Sequence, residues 1–230
     1  MASDDNNTLK SLYPFLHGRK QEPLSMNAAL MEAVDEKVGR HRDVIGAFFA
    51  KNGQAVIDTA GAIARVYQRD GRLFSMGNGG SSCDASHVAV EFQHPVTAGR
   101  PALTAIDLSA DRTMLTAVGN DVGFEHIFVR QVIAQGRAGD GLIGLSTSGN
   151  SKNLVKAFIK AKEMGLTTIG LAGMSGGAMA TIGLDHCLVV EADSIHRIQE
   201  CHVTIYHILW DLVHSLLADD RGALSFAARE

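Results

Sequence analysis

From Tyr67 onward the chain repeats one pattern: a short apolar run, a loop of glycine, serine or aspartate, and a helix-like stretch. The runs are RLFSMGN, ALTAIDL, GLIGLSTSG, TTIGLAG and CLVVEA. Each is about five to seven residues long and lacks clean polar alternation, so each is expected to be a strand buried on both faces. Predicted helices cover Ser81 to Phe92, Ala110 to Val118, Val122 to Gln135, Lys152 to Met164, a short Gly176 to Ile182 and a long Ile195 to Leu217. Strand, loop and helix in this alternation dictate an α/β fold, with right-handed crossovers and a parallel sheet covered by helices on both sides. Ligands of such sheets bind beyond the carboxyl ends of the strands.

Ahead of the first strand, apolar residues recur at helical spacing over Met26 to Ala50 and again over Gln54 to Tyr67, which predicts two amphipathic helices. Residues 1–25 are polar, contain Pro14 and Pro23, and read as a loosely held arm, while 221–230 read as a C-terminal tail. No repeat or linker divides the remainder, so 26–220 is expected to be a single domain.

The composition is that of an ordinary globular enzyme: 46% hydrophobic, 20% charged, 24 glycines, and a net charge of −4 with no basic cluster. That balance argues against a nucleic-acid partner, which usually needs a basic face. Cys83, Cys187 and Cys201 show no CxxC spacing, so neither a disulfide scaffold nor a zinc knuckle is expected. The N-terminal stretch has no apolar core after a basic start, and no segment approaches the roughly 20 apolar residues of a membrane span. A cytoplasmic protein is the expectation.

Two strands run into loops of small residues, GNGGSS (Gly77 to Ser82) and STSGNS (Ser146 to Ser151), and both precede helices. Glycine permits a close approach to an anion, and the free amides at a helix start carry partial positive charge. STSGNS can therefore hold a phosphate without lysine or arginine, or it can be a capped helix start with Ser148 or Asn150 as the cap. A dinucleotide loop needs GxGxxG and a ribose-binding acid at the end of the second strand. Asp107 stands at that position, but serine occupies the third glycine's place at Ser82. A Walker A loop is excluded by the absence of GKS or GKT.

On the helix after GNGGSS, His87 and Glu91 lie four residues apart and share a face. Such a pair can bind a metal, share a proton, or form a surface hydrogen bond. The C-terminal helix carries His196, Gln199, Glu200, His202, His207 and His214 among apolar residues, so some of these polar groups must be buried and partnered. Glu200 and His207 are close to two turns apart, and Gln199 and His207 are roughly 80° apart around the axis. Geometry alone does not choose between Gln199 and Glu200.

The succession GNGGSxCDAxH, a glutamate four residues on, GND, GD-x-L-x-x-STSGNS and RIQExH-x-x-x-x-HIL resembles the phosphoheptose isomerases of the sugar isomerase (SIS) superfamily. The likeness runs from about Phe74 to Val213, with the leading helices also as in that family. The resemblance implies a three-layer α/β/α sandwich around a five-stranded parallel sheet, and a homotetramer with active sites at subunit interfaces. It implies conversion of sedoheptulose 7-phosphate to D-glycero-D-manno-heptose 7-phosphate, the entry to nucleotide-activated heptose and lipopolysaccharide. By the same resemblance, Ser146, Thr147, Ser148 and Ser151 hold the phosphate, and Asn78, Gly79, Gly80, Ser81 and Asp111 lie along the sugar. His87, Glu91, Gln199 and His207 form a site for one zinc ion per subunit, with Gln199 also against substrate.

Two positions depart from the family pattern: FQHP follows Glu91 where an arginine is expected, and His196 stands before RIQE in place of an aspartate. Both bear on the choice of sugar. An aldose–ketose isomerisation moves a proton between C1 and C2 through an enediol, which needs an acid–base pair and stabilisation of oxyanion charge. Glu91 and His207 are the expected catalytic pair. Two other readings are a non-catalytic SIS protein resembling the factor that associates with the bacterial replication initiator, and an isomerase of another phosphosugar. The first is disfavoured by the presence of His87, Glu91 and His207.

Overall fold

The structure is a computed structural model that describes residues 23–97 and 99–219. The expected arm lies outside the described residues as far as residue 22, and the expected tail lies outside them entirely. The described residues fall into two compact units, one up to Arg40 and one from His41. In the first, the described stretch is helical and exposes Leu30, Met31, Val34 and Val38.

The elements in order are α1 (Pro23–Gln68), β1 (Leu73–Gly77), α2 (Gly80–Gln93), β2 (Ala105–Asp107), α3 (Arg112–Asp121), α4 (Ile127–Gln135), β3 (Gly141–Ser146), α5 (Lys152–Glu163), β4 (Thr167–Gly173), β5 (His186–Val190) and α6 (Ile195–Asp219). Single 3-10 turns at Phe124–His126 and Gly177–Ala180 precede α4 and β5. The predicted helix Val122 to Gln135 is thus a 3-10 turn leading into α4.

Where two N-terminal helices were expected, there is one of 46 residues. The Asn52–Gly53 step looks like a break by residue type but not by phase: Val44, Phe48, Val56, Ala60 and Ile63 continue one apolar stripe, and all pack into the same core. The Asn52 amide donates back to the Phe48 carbonyl at 3.0 Å instead of turning the chain.

The five strands are parallel, in the order β2-β1-β3-β4-β5. Alternate residues feed opposite faces. Leu73, Ile143, Leu145 and Leu171 join α2, α6 and the later part of α1 in one core, while Phe74, Met76 and Leu142 join α3, α4 and α5 in the other. This is the three-layer α/β/α sandwich. Gly144 faces the second core, where a Cβ would collide with Phe158 and Met76, so a bare backbone lets the Phe158 ring reach the sheet.

The strand order places the site. The chain leaves β1 towards α2 on one face and leaves β3 towards α5 on the other, so the adjacent carboxyl ends of β1 and β3 form the topological switch point. GNGGSS and STSGNS both emerge there.

Candidate active site

The two loops are tied together. Asn78 and Asn153 exchange amide hydrogen bonds of 2.9 and 2.8 Å, and Asn78, Ser151, Lys152, Asn153, Phe124 and Glu125 line a pocket of about 390 Å³. Within STSGNS the Ser146 and Ser151 hydroxyls are 3.0 Å apart, and Thr147 and Ser148 are half-buried. Neither Ser148 nor Asn150 caps α5. The N-cap is Ser151, which makes no side-chain cap bond. The Ser148 hydroxyl instead accepts from the Asn150 amide at 3.2 Å, and Asn150 Oδ1 accepts from the Ala178 amide at 2.9 Å, bracing the loop against the turn after β4.

In the first loop Gly79 has φ +54°, a conformation that favours glycine. Ser81 is buried, and Gly77 is packed so closely on the Ser81 carbonyl that no side chain fits. Asp107 accepts from the Ser86 hydroxyl and from the Ser109 amide at 2.7 Å, so it is turned away from any ribose role. Asp111 is the N-cap of α3, accepting from the Met114 amide at 2.9 Å. It is exposed there.

The histidine–carboxylate cluster forms where α2 meets α6. Ligand atoms of His87, Glu91 and His207 all lie within 4.8 Å of one another, the one such group among the described residues. His87 Nε2 is 3.1 Å from Glu91 Oε1, and the His87 and His207 rings meet edge to face with centroids 5.0 Å apart. Burial holds His207 below the usual imidazole range; the neighbouring His87 adds to this and Glu91 opposes it. Neutral imidazole nitrogens beside a carboxylate are a donor set suited to zinc.

The two glutamine–glutamate candidates on α6 separate. Glu200 accepts from Arg197 at 2.6 Å and lies 2.7 Å from His41 Nδ1 of α1. Gln199 points the other way, its carboxamide lying over the α carbon of Gly80 at the start of α2. His196 is exposed at the start of α6.

Three neighbours were missed by sequence reasoning. The Tyr206 hydroxyl is 2.7 Å from His87 Nδ1. Asp84, one turn before His87, is raised to about 6 by burial, with His87 opposing, and its Oδ2 is buried without a hydrogen-bond partner among the described residues. Trp210 donates its indole N–H to the Glu91 carbonyl. The Asp84–His87 spacing was a usable signal, since i, i+3 residues share a helix face. Nothing in the sequence pairs Tyr206 or Trp210 with α2.

A family model described as SIS domain matches residues 39–173. The phosphoheptose isomerase of Sulfurimonas denitrificans is 45% identical over 155 residues, covering 67% of this chain and 79% of that protein. Among solved structures, phosphoheptose isomerase GmhA from Neisseria gonorrhoeae superposes with TM-score 0.76 at 36% identity, covering 81% of this chain and 99% of that one. A phosphoheptose isomerase from Francisella tularensis gives TM-score 0.78 at 32% identity, covering 80% and 98%.

The chain belongs to the phosphoheptose isomerase family. It is accordingly a phosphosugar isomerase of the SIS superfamily, not a non-catalytic binding member. A phosphoheptose isomerase needs an anion site and an acid–base centre near each other: GNGGSS leads into α2, which carries His87 and Glu91, and the Asn78–Asn153 pair ties that loop to the STSGNS side of the sheet. No helix among the described residues is long and apolar enough to cross a membrane.

Proposed function

We propose that the enzyme converts sedoheptulose 7-phosphate to D-glycero-D-manno-heptose 7-phosphate, with Glu91 and His207 moving the proton between C1 and C2. The observation that carries the reading is the convergence of His87, Glu91 and His207 from two helices within 4.8 Å, beside a glycine–serine loop. Glu91 is the proton carrier: it is largely buried, with its side chain 19% exposed, and hydrogen-bonded to His87. Burial favours the neutral form of His207, which partners Glu91 as the second group of the acid–base pair. The phosphate sits on the hydroxyls and amides of Ser146, Thr147, Ser148 and Ser151, and the sugar chain runs past Asn78, Gly79, Gly80 and Ser81, with Asp111 near its path.

His87, Glu91, Gln199 and His207 hold one zinc ion per subunit. When bound, zinc supplies Lewis-acid polarisation of the sugar's carbonyl and hydroxyl oxygens. The two imidazoles and the carboxylate of His87, His207 and Glu91 already converge and fit zinc, while the Gln199 carboxamide lies over Gly80, about two turns before His87 on α2, and would turn towards them to complete the set. The exposed apolar stripe Leu30, Met31, Val34 and Val38 supports assembly into a homotetramer with sites at subunit interfaces. Three free cysteines suit a cytoplasmic setting.

Purified, untagged protein is assayed with ketose phosphates of five, six and seven carbons, alongside metal analysis and light scattering. The expected result is preference for the seven-carbon substrate, stoichiometric zinc and a tetrameric mass. Preference for a shorter ketose would transfer the reading to another phosphosugar, for which the departures at Pro95 and His196 are the motive.

A further inference from the structure

The last turn of α2 carries Glu91, and its carbonyls cannot all be satisfied within the helix. In a regular α-helix the carbonyl of residue i accepts from the N–H of residue i+4. For Val90 that donor is the His94 amide, at 2.8 Å. For Glu91 the donor would be residue 95, a proline, which has no N–H. The missing donor comes from α6: Trp210 Nε1 donates to the Glu91 carbonyl at 2.8 Å. The next carbonyl, of Phe92, accepts from the Leu103 amide at 2.8 Å. Pro95 stops the helix, and groups from α6 and the following loop close its end.

Trp210 is held firmly for this task. It is buried, its ring lies edge to face with His214 at 5.1 Å between centroids, and the Arg100 guanidinium covers it at 4.4 Å. Arg100 is in turn paired with Asp211, the next residue on α6. Trp210 also lies three residues beyond His207, on the same broad face of α6. One helix therefore presents His207 and, through Trp210, grips the peptide that bears Glu91.

We propose that Trp210 is a positioning residue for the isomerisation: its indole N–H replaces the backbone hydrogen bond that Pro95 deletes, and so keeps the Glu91 carboxylate in register with His87 and His207. The inference rests on Glu91 as the proton carrier. It also accounts for how a proline is accommodated four residues after a catalytic glutamate. Small displacements of reacting groups are costly, about 100-fold for 1 Å, so one lost restraint on the Glu91 peptide is felt in turnover before it is felt in substrate binding.

The test uses Trp210→Phe, Pro95→Ala and the double variant. Phenylalanine keeps an aromatic ring under Arg100 but has no N–H, and alanine restores an amide four residues beyond Glu91. Trp210→Phe is expected to lower kcat about ten-fold with KM within about two-fold, and the double variant to lie within about two-fold of Pro95→Ala alone, so that the loss from Trp210→Phe disappears once residue 95 has an amide. Because the chain has a single tryptophan, its indole N–H is one resonance, and its protection from solvent exchange reads the bond without substrate. A Trp210→Phe enzyme with parental kcat, a double variant about ten-fold slower than Pro95→Ala alone, or an indole N–H exchanging as freely as an exposed one overturns the inference. Melting temperatures are recorded for all: earlier melting with parental turnover would make Trp210 a packing residue only. A parent inactive on every ketose phosphate sinks the functional reading and this one with it, whereas an active parent with an unchanged Trp210→Phe sinks this one alone.

Discussion

The Tyr206 hydroxyl lies 2.7 Å from His87 Nδ1 and thereby leaves Nε2 of the same ring facing Glu91 Oε1 at 3.1 Å. The partner of one imidazole nitrogen orients the ring and bears on the state of the other. Burial, with the nearby Asp84 and Glu91 carboxylates, pushes the Tyr206 phenol above its ordinary range, so it stays a neutral hydroxyl. A hydroxyl both donates and accepts. It can serve His87 when Nε2 carries the proton towards Glu91, and equally when Nε2 is stripped to bind a metal.

Tyr206→Phe is therefore expected to weaken zinc binding by about 10- to 100-fold, the usual cost of losing a group that orients a ligating histidine. Competition with a calibrated chelator measures it directly. Unchanged zinc affinity would mean that the Tyr206 contact does not orient His87 as a ligand.

Glu91→Gln keeps the size of the side chain and a hydrogen-bonding partner for His87 while removing the carboxylate proposed as the proton carrier. Turnover on sedoheptulose 7-phosphate should fall by about 10² to 10⁴, with KM little changed. Near-parental turnover in a zinc-loaded Glu91→Gln enzyme would reassign the proton transfer to another group.

The strands were legible because each is an apolar run without alternation, which is what burial on both faces of a parallel sheet produces. The continuity of α1 was not, because Asn52 and Gly53 resemble a break while the apolar phase runs through them. In the site, His87 and Glu91 announced themselves by helical spacing. Helix geometry left Gln199 and Glu200 undecided and only the family resemblance chose Gln199; the physical reason they separate, His41 of α1 beside Glu200, is a contact between residues 159 apart. Asp111 shows the limit in the other direction, since a helix cap and a sugar ligand ask for the same residue at the start of a helix.

Gly80 separates activity from stability. A methyl group there would collide with the Gln199 carboxamide, the mobile end of a flexible side chain, so the cost falls on where Gln199 points rather than on the backbone. Gly80 is the first residue of α2, where exchanging glycine for alanine carries only part of the interior helix-propensity gain of up to about 1 kcal/mol. Gly80→Ala should melt at or slightly above the parental temperature yet lose about ten-fold or more in kcat/KM. Retained activity would show that Gln199 does not contribute from that position.

His202 should set much of the acid sensitivity of folding. Its ring is fully buried, with Nε2 donating to the Ala172 carbonyl at 3.1 Å and Nδ1 without a hydrogen-bond partner among the described residues. Burial pushes it down to about 4, against 6.5 for a free imidazole, with the Ala172 bond opposing. Between those values the unfolded chain takes up a proton that the folded protein refuses. Stability is thus complete above pH 6.5 and falls as the pH drops towards 4, by up to roughly 3 kcal/mol from this group. Asp84 acts with the opposite sign: its carboxyl, raised to about 6, keeps a proton in the folded state that the unfolded chain has already released, so its contribution declines as pH rises from 3.8 to 6. Urea unfolding across this range should give a steeper acid loss for Asp84→Asn than for the parent and a shallower one for His202→Gln. Equal acid slopes in His202→Gln and the parent would place the acid sensitivity elsewhere.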